Sequence, residues 1–89
     1  MNEKISEVQI VPIKPKDGLV GFVSFIYDNA FYMGSIGLFT RPQGGYRLTF
    51  PLRKNTEKDI NYFYPINKAI ALELEKAVID KYEKLIGLN

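Results

Sequence analysis

Apolar and polar positions along the chain first alternate with a period close to two. Beyond residue 65 the period becomes helical, so a run of strands is followed by a single helix. Residues 5–13 predict a first strand, with Val8 and Ile10 on one face and Glu7 and Gln9 on the other, before the pattern turns wholly apolar at Val11 and Ile13. Pro15-Lys16-Asp17-Gly18 then predicts a hairpin connection, because proline sets φ early in a turn and Asp-Gly accepts positive φ. Residues 19–27 are apolar at both parities, the pattern of a central strand covered on two faces. Asp28-Asn29 has the composition of a two-residue type I′ loop, so a third strand over 30–40 should pair directly with the second. Gly34 and Gly37 within it predict a bulge or a close backbone approach.

Arg41-Pro42-Gln43-Gly44-Gly45 marks the next reversal. A fourth strand over 45–50 alternates cleanly, with Tyr46, Leu48 and Phe50 inward and Arg47 and Thr49 outward. Pro51 ends it. A polar stretch over 52–64 turns aromatic at Tyr62-Phe63-Tyr64, a candidate short fifth strand at 61–64. Past Pro65, the residues Ile66, Ile70, Leu74, Ala77, Val78, Tyr82 and Leu85 recur at helical spacing. Asn67 is placed to cap a helix over 68–86, and Gly87 to stop it. The expected fold is α+β: an antiparallel four- to five-stranded β-meander followed by one C-terminal α-helix, in a single domain over 1–89. One helix covers only one face of such a sheet, so the doubly apolar second strand calls for a second cover.

Composition narrows the chemistry. A chain of 89 residues, 46% hydrophobic and 25% charged, with six Tyr and six Phe, is a folded domain and not a disordered one. There is no Cys, which excludes disulfides and thiolate metal sites. The N-terminal residues carry no signal-like apolar run, and no stretch approaches the roughly 18 apolar residues of a membrane span. A cytoplasmic protein without a membrane partner is therefore expected. The absence of His removes the usual general base, the commonest metal ligand and every Ser-His arrangement. Glu73, Glu75, Asp80 and Glu83 are interleaved with Lys76, Lys81 and Lys84 as on a solvated helix face, and Gly44-Gly45 is followed neither by lysine nor by a helix. The expectation is a binding protein and not an enzyme, with no cofactor and no small-molecule substrate.

The net charge of +2 is unevenly spread. Residues 1–40 hold three basic and four acidic groups, residues 41–68 six and two, and residues 69–89 three and four, so all the excess is central. Arg41, Arg47, Arg53, Lys54, Lys58 and Lys68 are candidates for one basic surface, provided that the outer face of the fourth strand and the following loop lie side by side. The Arg53-Lys54 pair in a loop is the most suggestive part, since loops on a rigid scaffold are where contacts are made. Tyr62, Phe63 and Tyr64 admit two readings, stacking on unpaired bases or packing beneath the helix.

Several of these residues together resemble a known family. Val8-x-Ile10, Gly18 before the apolar second strand, Phe31, Phe50-Pro51-x-Arg53-Lys54, Pro65-Ile66-Asn67 and Ala77-Val78-x-x-x-Tyr82 resemble the stage V sporulation protein G family of septation regulators, over about residues 5–85. The resemblance implies a small dimeric bacterial regulator of septation or sporulation that binds DNA or RNA. Nucleic-acid contact then falls on Arg53 and Lys54, with Lys68 near the helix start, and Arg47 and Lys58 join them as candidates on charge alone. The chain departs from the family pattern in lacking a Gly between Pro51 and Pro65, in a loop about one residue shorter, and in a tyrosine ahead of Pro65 where the family has histidine. A partner copy would supply the missing cover for the second strand. The alternative is a protein-interaction module of cell division or signalling in which the basic loop serves only solubility.

Overall fold

The computed structural model describes residues 4–54 and 57–87. Strand β1 (Ile5–Lys16), β2 (Leu19–Tyr27), β3 (Phe31–Thr40) and β4 (Tyr46–Thr49) form one antiparallel sheet in chain order. Two short strands, β5 (Leu52–Arg53) and β6 (Ile60–Asn61), pair as a separate ribbon, and helix α1 (Lys68–Leu85) follows. The expected meander and C-terminal helix are both present. The small ribbon differs from the candidate fifth strand: it sits at Ile60–Asn61, and Tyr62-Phe63-Tyr64 belongs to no strand. Asn55 and Thr56, within the expected polar stretch, lie outside the described residues.

Both tight turns follow from residues that accept positive φ. Asp17 and Gly18 have φ of 52° and 91°, and Asp28 and Asn29 of 55° and 53°. The second loop is one residue longer than expected, since Tyr27 pairs with Phe31 and Ala30 lies between them, outside β3. The first turn is shorter than expected. Pro15 and Lys16 stay in β1, which pairs Lys16 with Leu19, so only Asp17-Gly18 turns. Where β1 passes Pro15, its register against β2 is irregular, as fits a residue with no N–H to donate.

Bulges decide which side chains meet the helix. Between Ser6 and Gln9, β1 holds one residue more than β2, and Glu7 has φ of 51°. Between Met33 and Ile36, β3 likewise has an extra residue, with Ser35 at φ 59° beside Gly34. A third irregularity lies at Val20, between the Leu19–Phe39 and Gly21–Leu38 pairs. One extra residue reverses the alternation, so positions three apart come to share a face. Ile5 and Val8, Val20 and Val23, and Met33 and Ile36 therefore all join the core. The double apolar parity of β2 thus has two sources: the bulge at Val20, and Leu19, Phe22 and Ile26 on the opposite face.

Helix α1 packs across the inner face, chiefly against β1 and β4. Leu74, Val78 and Tyr82, spaced four apart, are buried against Ile5, Val23, Phe25, Ile36 and Leu38. Each such side chain contributes about 1.5–3 kcal/mol through removal from water. The stripe is narrower than the periodicity suggested: Ile70 is half-buried, whereas Leu85 and Ile66 are exposed. Asn67 caps the helix, its Oδ1 accepting from the Ile70 N–H at 3.1 Å. Gly87 closes it with φ 86°, its N–H donating to the Lys84 carbonyl.

The outer face of the sheet has no cover from the described residues. Val11, Phe22 and Tyr32 are 63%, 44% and 71% exposed there. No helix among the described residues is long and apolar enough to cross a membrane.

Candidate nucleic-acid interface

The segment after β4 folds back on itself. Leu52 pairs with Asn61 and Arg53 with Ile60, which places Lys54 and Lys58 on the two limbs just beyond the ladder. The base of this hairpin is fastened to the end of the sheet. The Tyr62 N–H donates to the Pro51 carbonyl at 2.9 Å, and Asn61 Nδ2 donates to the carbonyls of Phe50 at 3.3 Å and Pro51 at 3.5 Å. Pro51 offers no N–H, but its carbonyl accepts both bonds, so the proline that ends β4 also anchors the projection.

Arg53, Lys54 and Lys58 are exposed on this hairpin and make no ion pair with any described residue. Glu57 and Asp59 lie on the same hairpin and are also exposed. Three cations against two anions leave it only weakly basic, so its field is local. Lys68 is the first residue of α1, exposed at a helix start that has no acidic residue in its first turn. Chain direction sets Arg47 apart. It sits on the outer face of β4 beside the β3–β4 turn, its guanidinium 4.8 Å above the Phe39 ring. Arg53 lies past the end of β4 and Pro51, in the separate β5–β6 ribbon. The single basic surface expected from charge counting is therefore divided, with Arg41 and Arg47 at one end of β4 and Arg53, Lys54 and Lys58 beyond the other.

The aromatic trio also divides, and by parity. Phe63 points inward and meets Phe50 edge-on, ring centroids 6.0 Å apart, whereas Tyr62 and Tyr64 are 69% and 59% exposed. The packing reading holds for Phe63, and the rings of Tyr62 and Tyr64 are left exposed. The alternation was visible in the sequence, but without a strand to fix the register it could not say which parity faced out.

Between this segment and the start of α1 lies an apolar cavity of about 240 Å³, bordered by Phe25, Tyr27, Met33, Phe50, Phe63 and Ile66. Ile66 stands at its edge, 89% exposed. Nothing in the periodicity separated Ile66 from the helix stripe; only its position ahead of the Asn67 cap does. Elsewhere, Tyr46 packs edge-on against Tyr82 and its O–H donates to Glu83 Oε2 at 3.5 Å. Burial first, and then the Glu83 carboxylate and Tyr82, push the Tyr46 phenol above its usual range.

The sequence that builds these elements is similar to known proteins over nearly its whole length. Residues 3–84 match the SpoVG family model. The chain is 34% identical over 87 residues to a protein of Caldicellulosiruptor saccharolyticus, covering 94% of this chain and 96% of that one. It is 31% identical over 88 residues to a protein of Clostridium perfringens, covering 96% and 94%. A protein of Caldanaerobacter subterraneus is 32% identical over 84 residues, covering 91% and 89%. Each of the three bears the name "Putative septation protein SpoVG". With a match that spans the sheet, the hairpin and nearly the whole helix, this chain belongs to the SpoVG family.

Proposed function

We propose that this chain is a small dimeric regulator of septation that binds single-stranded DNA or RNA through the β5–β6 hairpin. The septation role follows the names of its relatives. What carries the nucleic-acid reading is a set of exposed cations, Arg53, Lys54 and Lys58, on one anchored projection, with the exposed rings of Tyr62 and Tyr64 following at its base. Cations meet phosphates and give affinity without sequence information. Stacking of an unpaired base on an exposed ring adds about 1–3 kcal/mol and tolerates any base. Duplex DNA, whose bases are already stacked, gains only the first term.

Dimer formation rests on the outer face of the sheet. Val11, Phe22 and Tyr32, with Leu19 and Ile26 half-buried, form an apolar surface that a second copy would cover through a self-complementary contact. The experiment combines titration of labelled single-stranded RNA, single-stranded DNA and duplex DNA at about 50 and 200 mM salt with a mass measurement. The expected mass is twice the 10.2 kDa of the chain. Binding should weaken steeply with salt, and Arg53→Ala/Lys54→Ala should flatten the salt slope by about 2. Unchanged binding in that double variant would remove the assignment.

The apolar cavity beside Ile66 favours a second reading, a protein-interaction module that takes up an apolar side chain of a division partner. A defined protein complex that is lost in Ile66→Asp, with no nucleic-acid binding at physiological salt, would establish that reading in place of the first.

A further inference from the structure

At the opposite end of β4 from the hairpin, the β1–β2 and β3–β4 turns enclose an open groove of about 470 Å³. Arg41, Arg47, Phe39, Gln43 and Asp17 border it. Both arginines are held in place from within the protein. The Nε–H of Arg41 donates to the Tyr46 carbonyl at 3.1 Å, which directs the remaining edge of its guanidinium away from that bond. Arg47 lies over the Phe39 ring. That ring rests in turn on two glycines: a Cβ at Gly37 would stand 3.0 Å from its Cε1, and one at Gly18 3.6 Å from its Cδ2. A side chain at Gly37 would push the ring away, and Arg47 with it.

Two guanidinium groups thus share one concavity with a single carboxylate, Asp17, and neither forms an ion pair with a described residue. Like charges held together repel, and the arrangement is relieved by an anion between them. Because both side chains are already restrained, little rotamer entropy remains to be lost on binding. Guanidinium forks match the oxygens of phosphate, and the free face of a guanidinium accepts a stacked base. A covering copy centred on Val11, Phe22 and Tyr32 leaves this groove at the rim, since Phe39 pairs with Leu19, and Arg47 with Phe39, at the turn end of the sheet.

We propose that the Arg41–Arg47 groove is a second binding site for a phosphate-bearing ligand, either the backbone of a nucleic acid or the phosphate of a free nucleotide. The site shares its chemistry with the hairpin but none of its residues, and it does not require the hairpin to bind anything.

The test follows the arginine Nε–Hε resonances of ¹⁵N-labelled full-length protein during titration with inorganic phosphate, a mononucleotide, a short single-stranded oligonucleotide and a poly-glutamate peptide. The expected result is a saturable shift of the Arg41 and Arg47 signals with the phosphate ligands, retained in Arg53→Ala/Lys54→Ala. Mononucleotide affinity should fall at least about tenfold in Arg41→Ala/Arg47→Ala, in line with loss of a charge-assisted pair. Both arginines are exposed, so the variant should melt as the parent does. Arg41→Lys/Arg47→Lys, which keeps charge but loses fork and stack, should also bind more weakly than the parent. Tighter binding of the oligonucleotide than of the mononucleotide identifies a backbone as the source, and the reverse a free nucleotide. No saturable shift with any phosphate ligand, equal shifts with poly-glutamate, or full affinity in the lysine variant would each overturn the proposal. Failure of the hairpin reading appears separately, as unchanged oligonucleotide affinity in Arg53→Ala/Lys54→Ala.

Discussion

Gly37→Ala tests the outer face of the sheet through a contact measured in hundredths of a nanometre. A Cβ at residue 37 would lie 2.6 Å from Thr49 Oγ1, 3.0 Å from Phe39 Cε1 and 3.4 Å from Leu19 Cδ1. Thr49 stands directly opposite in register, on a four-residue strand that has little room to retreat. Overpacking of this kind costs about 1–3 kcal/mol. The substitution also removes glycine freedom from the unfolded chain, which returns about 0.5–1 kcal/mol. The net expectation is a loss of about 1–2 kcal/mol. In urea unfolding at fixed protein concentration, with a slope near 1 kcal/mol/M for so small a domain, the midpoint should fall by roughly 1–2 M. The double variant Gly37→Ala/Thr49→Ala removes the nearest obstacle and should recover part of the loss beyond additivity. A midpoint that is unchanged or raised in Gly37→Ala, or an equal cost with and without the Thr49 side chain, would refute the argument.

Three further outcomes follow from the packing. Leu74→Ala should destabilise by about 2–5 kcal/mol in the same assay, whereas Leu72→Ala, two positions earlier and exposed, should change stability by less than about 0.5 kcal/mol. Asn67→Ala should cost about 1 kcal/mol by removing the acceptor for the Ile70 N–H, and Asn67→Ser should restore most of it. The raised Tyr46 pKa means that the folded state holds this proton more tightly than the unfolded one. Its contribution is present below about pH 10 and is lost as pH rises through the folded value, so stability measured across alkaline pH should fall less steeply in Tyr46→Phe.

Much of the fold could be read without coordinates. The order of elements, the turns at Asp17-Gly18 and Asp28-Asn29, the bulge near Gly34 and the Asn67 cap rest on interactions within a few residues, and these carry their own local signature. The candidate site was less legible. Arg53 and Lys54 stand out as a charged pair, but the ladder beneath them, Leu52 with Asn61 and Arg53 with Ile60, joins residues seven to nine positions apart over two residues only. Such a ladder is too short to show a period. Ile66 fits the helical stripe in sequence and still lies exposed ahead of the cap.

The sequence by itself determined which segments are extended and which helical, where the chain reverses, and that the excess positive charge lies between residues 41 and 68. Only the tertiary structure decided which side chains share a face. Bulges in β1, β2 and β3 shift the alternation, and register between strands depends on hydrogen bonds that join distant parts of the chain. For the same reason one stretch of basic residues became two separate clusters. The chain runs from Arg47, beside the β3–β4 turn, past the end of β4 and Pro51 to Arg53 in the separate β5–β6 ribbon, so residues close in number fall on different elements.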